Sequence, residues 1–122
     1  MALILIVDDN EINIRFLQIL LMKVGYEVDI ANNGKEAIEM LEKLTPSLIL
    51  MDIQMPVMDG ISAMKIIKSN ERTKNIPIIA VTSFAMAGDK EKLLSLGFDD
   101  YISKPIDIKV LLEKIKRILK GE

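Results

Sequence analysis

Short apolar runs alternate with amphipathic stretches five times along the chain, and this pattern restricts the fold more than any other feature of the sequence. The runs are LILIV (Leu3 to Val7), EVDIA (Glu27 to Ala31), SLILM (Ser47 to Met51), PIIAV (Pro77 to Val81) and YIS (Tyr101 to Ser103). Such alternation is the signature of βαβ units around a parallel sheet. The first, third and fourth runs are nearly uninterrupted, as strands covered on both faces must be. Glu27 to Ala31 alternates polar with apolar and reads as a half-covered edge strand, and Asp99 to Ser103 is the other candidate edge.

The stretches between carry helix signals. Asn10 can cap a helix running to about Val24 and ended by Gly25; Asn33 or Gly34 opens a second that must stop before Pro46. Asp59 can cap a third through about Ser69, and Asp89 to Leu96 is a short fourth closed by Gly97. Ile108, Leu111, Leu112, Ile115, Ile118 and Leu119 mark a fifth at helical spacing. The expected fold class is therefore α/β, a flavodoxin-like (βα)5 three-layer sandwich with five parallel strands in the order 2-1-3-4-5. At 122 residues it reads as a single domain, 1–122, with no linker and no effector attached.

Composition narrows the functional classes. Formal net charge is −2, so no nucleic-acid surface rests on overall basicity. No apolar run is long enough for membrane insertion, and the start lacks the features of a secretory signal; a cytoplasmic location is expected. Cysteine and histidine are both absent. Any step that needs a phosphohistidine must therefore borrow it from another molecule.

Four segments then fall at the carboxyl ends of strands, the edge where parallel α/β sheets bind ligands. They are Asp8-Asp9, Asp52, Thr82-Ser83 and Lys104-Pro105. Each alone is ordinary turn or capping chemistry. Together they bring three carboxylates, a hydroxyl and an ammonium to one crevice. Clustered carboxylates raise each other's pKa or need a counter-ion. With oxygen ligands only, the natural ion is Mg²⁺, or Mn²⁺. Asp52, ending the central strand, is best placed as a nucleophile towards a phosphoryl group; Lys104 and Thr82 would pair with its oxygens. Met55 and Met58 read as packing residues, and Gly60 as a backbone requirement in the turn into the third helix.

The segments ILIVDDNEIN (Ile4 to Asn13), LILMDIQMPVMDG (Leu48 to Gly60), IIAVTSFAM (Ile78 to Met86) and YISKPI (Tyr101 to Ile106) resemble the receiver domains of two-component response regulators over almost the whole chain. The look is nearest to stand-alone DivK-like regulators and to receivers of hybrid kinases. The resemblance implies that Asp52 accepts a phosphoryl group from a histidine kinase or a histidine phosphotransfer protein. It implies Mg²⁺ on Asp9, Asp52 and the Gln54 backbone carbonyl, with Asp8 acting mainly through water. It makes Thr82 and Tyr101 the paired switch residues, Lys104 the phosphate partner, and the Lys104-Pro105 bond cis. Gln54 and Phe84 occupy positions that tune dephosphorylation, and a bulky Phe84 implies a comparatively long-lived phosphoryl state. Output would pass to a downstream protein target through the face formed by the fourth helix, fifth strand and fifth helix. The chain would thus catalyse only its own phosphorylation and dephosphorylation. Alternatives are a relay receiver excised from a hybrid kinase and a non-phosphorylated scaffold receiver. A phosphatase would want a second carboxylate where Gln54 stands, and Asp8-Asp9-Asn10 would repel a flavin phosphate.

Overall fold

A computed structural model describes residues 2–83 and 89–120. Five strands, β1 (Leu3–Val7), β2 (Glu27–Ala31), β3 (Leu48–Asp52), β4 (Ile78–Thr82) and β5 (Asp100–Ser103), form one parallel sheet in the order β2-β1-β3-β4-β5. The helices between and after them are α1 (Glu11–Lys23), α2 (Gly34–Met40), α3 (Gly60–Ser69), α4 (Asp89–Leu96) and α5 (Ile108–Leu119). This is the flavodoxin-like arrangement expected from the alternation.

Every residue of β3 and β4 is buried, whereas β2 and β5 at the edges are only partly so. Successive side chains of a strand point to opposite faces, and the core divides accordingly. Leu5, Val7, Ile49, Met51, Ile78 and Ala80 pack beneath α2, α3 and α4 through Ala37, Ala63, Met64, Ile67 and Leu93. Ile4, Ile6, Leu48, Leu50, Ile79 and Val81 pack on the other face against Ile14, Leu17 and Leu21 of α1 and Leu111 and Ile115 of α5. Each fully buried large side chain contributes on the order of 2 kcal/mol of transfer free energy.

Side-chain caps set where the helices begin. Asn10 accepts from the N–H groups of Ile12 and Asn13, Asn33 from Glu36, Asp59 from Ser62 and Asp107 from Val110. Gly25 and Gly97, with φ of 101° and 129°, turn the chain after α1 and α4. Both helices end where a left-handed residue is required.

β3 and β4 run one residue past their apolar runs, so Asp52 ends the central strand as read and Thr82 also belongs to the ladder: Asp52 is in register with Val81 and Thr82 with Ser103. The Lys104 N–H donates to the Thr82 carbonyl at 2.7 Å, which holds that end of the ladder together. Asp99 lies outside β5. Its carboxylate accepts from the Ile78 N–H and the Lys68 ammonium, both at 2.8 Å, and Lys68 also donates to the Ile76 carbonyl at 2.9 Å. Lys68 on α3 is thereby braced to the starts of β4 and β5.

Candidate functional site

The order of the sheet places β1 beside β3, so the residues that follow β1 meet the last residue of β3. Carboxylate oxygens of Asp8, Asp9 and Asp52 all lie within 4.8 Å of one another. Asp8 and Asp52 are buried, at 2% and 7% exposure, while Asp9 opens to solvent. The Asp8 carboxylate accepts the Asn10 N–H at 2.9 Å, which fixes its orientation at the entrance to α1. Lys104, carried in by the chain leaving β5, puts its ammonium 3.6 Å from Asp52 and 3.9 Å from Asp8. The peptide bond between Lys104 and Pro105 is cis.

One cation among three carboxylates leaves negative charge in excess, and the titration of Asp52 reflects it. Burial first and the Asp8 charge second push the Asp52 carboxyl from 3.8 up to about 6; the Lys104 ammonium and the Gln54 N–H oppose this without cancelling it. An all-oxygen donor set carrying uncompensated negative charge is matched to a small hard divalent cation rather than to a thiophilic metal. The Asp59 carboxyl is held below the usual range by the Ser62 N–H, as befits its place as a cap.

The rest of the wall is set by backbone. From Asp52 the chain turns through Ile53 to Asp59 and returns so closely that the Gly60 N–H donates to the Ile53 carbonyl at 2.9 Å. A Cβ at Gly60 would collide with the Asp52 carbonyl oxygen. The backbone requirement read at Gly60 is thus close approach to the peptide of Asp52, with no left-handed φ involved. Within that loop Val57 adopts φ of 70° with its side chain 75% exposed, an uncommon conformation for a β-branched residue. Met55 and Met58 pack on the core edge.

Thr82, buried at the end of β4, is tied to Lys104 through its carbonyl. Gln54 is exposed, and its N–H serves Asp52. Tyr101 lies two residues before Ser103, the register partner of Thr82, so it stands on the same sheet face as Thr82 and beside Ala80. Its ring is half-buried, near Lys90 and Lys114. Phe84 lies outside the described residues.

Some features were not anticipated from sequence. Ile12, Phe16, Ile19 and Met22 of α1 are all exposed, 41–79%, along one side of the helix. Their spacing was visible, but a helix with apolar residues on two sides does not reveal which side the sheet takes. Asp100, read only as part of an edge strand, binds Lys114 at 2.9 Å and Arg117 at 3.3 Å.

Comparison with known proteins agrees with this geometry. The family model of the response regulator receiver domain matches residues 4–116. The chain is 42% identical over 116 residues to the polar-differentiation response regulator DivK of Brucella anthropi, covering 95% of this chain and 94% of that one. Among solved structures it is similar to the receiver domain of the sensor histidine kinase PA1611 of Pseudomonas aeruginosa, with a TM-score of 0.90 and 35% identity over 98% of each chain. That structure holds a magnesium ion coordinated in its active-site cleft. A Francisella receiver domain, that of response regulator 1452, gives a TM-score of 0.91 at 28% identity over 98% of each chain. Sequence family, identity over nearly the full length and fold all agree: this chain belongs to the response regulator receiver domains of two-component signalling.

Proposed function

We propose that residues 1–122 act as one receiver unit that takes a phosphoryl group from a partner's phosphohistidine onto Asp52 and passes the change to a downstream protein. The observation that carries this reading is the pocket itself: a buried carboxylate at the end of the central strand, two further carboxylates beside it and one ammonium at 3.6 Å. The chain has no histidine, so the donor imidazole must belong to a histidine kinase or a histidine phosphotransfer protein.

In the transfer, an Asp52 carboxylate oxygen attacks phosphorus. A P–O bond forms, the P–N bond to the donor imidazole breaks, and the departing nitrogen takes its proton from solvent. Asp8, Asp9 and Asp52, with the Gln54 carbonyl, are the residues that would hold Mg²⁺ or Mn²⁺. Such an ion supplies the positive charge that three carboxylates and an incoming phosphoryl group require. Lys104 pairs with the phosphoryl oxygens, and the Thr82 hydroxyl donates to one of them. Thr82 and Tyr101 then act as the switch, with Tyr101 moving over Ala80 towards Thr82 and altering the face of α4, β5 and α5. Gln54 and Phe84 govern how long the group persists. Among the described residues no helix is long and apolar enough to cross a membrane, and the reading places the chain in the cytoplasm with its kinase.

Intact-mass measurement after incubation with Mg²⁺ and acetyl phosphate tests this. The expected result is a gain of one phosphoryl group, abolished by EDTA and by Asp52→Asn. A parent protein that binds Mg²⁺ yet gains no mass from either acetyl phosphate or phosphoramidate would favour the scaffold reading instead.

A further inference from the structure

The Tyr101 ring belongs to the α2/α3/α4 side of the sheet, because it shares a face with Ala80 and packs against that half of the core. Lys114 comes from α5, in the opposite layer, yet its ammonium is 5.1 Å from the ring centroid. A side chain from the far layer reaches that ring only around the exposed edge of β5. Tyr101 therefore leans out past the edge strand, where Lys90 of α4 also approaches to 5.9 Å. Lys114 is itself held: its ammonium lies 2.9 Å from Asp100, the residue before Tyr101, and its side chain is only 20% exposed. Arg117 completes the cluster on the same carboxylate at 3.3 Å.

We infer that the Asp100–Lys114 pair is a latch that holds Tyr101 in its outward position by a cation–π contact, and so sets how readily the ring moves inward. Lys114 is a positioning residue here: it touches neither the carboxylate pocket nor a phosphoryl group. Travel of the ring over Ala80 towards Thr82 carries it back across β5 and away from the α5 layer, so the inward position forfeits the Lys114 contact. Ala80, the residue in register with Tyr101, presents only a methyl group along that path. A contact made in one position alone biases the equilibrium by its own free energy. A cation–π contact of this partly exposed kind corresponds to about a two- to fivefold change in population. The inference rests on the switch role given to Tyr101 above.

The test uses the full chain with ring-labelled tyrosine. Tyr26 and Tyr101 are the only tyrosines in the sequence, and Tyr26 packs with the α1/α5 half of the core as an internal reference. Spectra are recorded with and without Mg²⁺ and beryllofluoride, an acyl-phosphate mimic, in the parent, Lys114→Met and Lys114→Arg. Methionine keeps the apolar stem without the charge, and arginine keeps the charge. Beryllofluoride should move the Tyr101 resonance of the parent and leave Tyr26 in place. Lys114→Met alone should lie part-way along the same displacement, with its half-saturating beryllofluoride concentration lowered about two- to fivefold; Lys114→Arg should follow the parent. If the parent resonance moves but Lys114→Met matches the parent in position and half-saturation, the latch is refuted and the switch stands. If fluorine spectra show the site filled while the parent Tyr101 does not move, the switch role fails and the latch with it.

Discussion

Replacing Asp52 by asparagine should stabilise the metal-free protein, and the size of the gain should depend on pH in a defined way. Asp52 is buried, faces the Asp8 charge, and titrates at about 6 rather than 3.8. A tenfold change in proton affinity is worth about 1.4 kcal/mol, so the ionised form is disfavoured on folding by about 3 kcal/mol. The folded-state pKa is raised, so the favourable contribution of the protonated group is fully present below about 3.8 and is lost as pH rises through about 6. Asparagine fills nearly the same volume without the charge. In urea titrations with EDTA, Asp52→Asn should therefore exceed the parent by up to about 3 kcal/mol at pH 7 to 8. The difference should shrink between pH 6 and 4 and vanish below that. Adding Mg²⁺ at a hundred times its dissociation constant should restore about 2.7 kcal/mol to the parent alone. A difference that does not vary with pH, or a variant less stable than the parent at pH 7, would refute the electrostatic account of the pocket.

Other perturbations test separate parts of the structure. Val57→Asn should raise stability by about 0.5–1 kcal/mol, because asparagine tolerates the φ of 70° that valine resists and the exposed valine makes no compensating burial; a shift in urea midpoint measures it. Gly60→Ala should destabilise by about 2 kcal/mol or more, since its methyl group meets the Asp52 carbonyl, and should also lower phosphoryl uptake by displacing Asp52; denaturation and intact mass read the two effects. Lys68→Met should lose about 1–2 kcal/mol through the broken brace to Asp99 and the Ile76 carbonyl, with phosphoryl uptake retained, as urea titration beside the same mass assay would report.

The sheet was legible in the sequence because burial on both faces forces continuous apolar runs, and β3 and β4 are buried at every position. Asn10, Asn33 and Asp59 announced their helices because a short polar side chain before an amphipathic stretch has a specific use there, accepting orphan N–H groups. The apolar runs stop one residue short of Asp52 and Thr82, because the ladder continues wherever a neighbour supplies hydrogen bonds, and polar side chains at a strand's end do not forbid it. The carboxylate cluster could be assembled from strand order alone, since the order puts β1 against β3. Contacts between remote side chains were not legible. Nothing local to Asp99, Asp100, Lys68 or Lys114 marks which lysine reaches which carboxylate, because that depends on helix positions across the sheet edge. Val57 gave no signal either, as its left-handed conformation follows from the return of the loop to Gly60 rather than from its own preference.

The central claim is that Asp52, and no other carboxylate, carries the phosphoryl group. Reduction with borohydride after incubation with Mg²⁺ and acetyl phosphate converts an aspartyl phosphate to homoserine, which peptide mass spectrometry then locates. The account predicts homoserine at position 52 alone, absent with EDTA. Homoserine at Asp8 or Asp9, or unmodified Asp52 in protein that has gained phosphoryl mass, would contradict it.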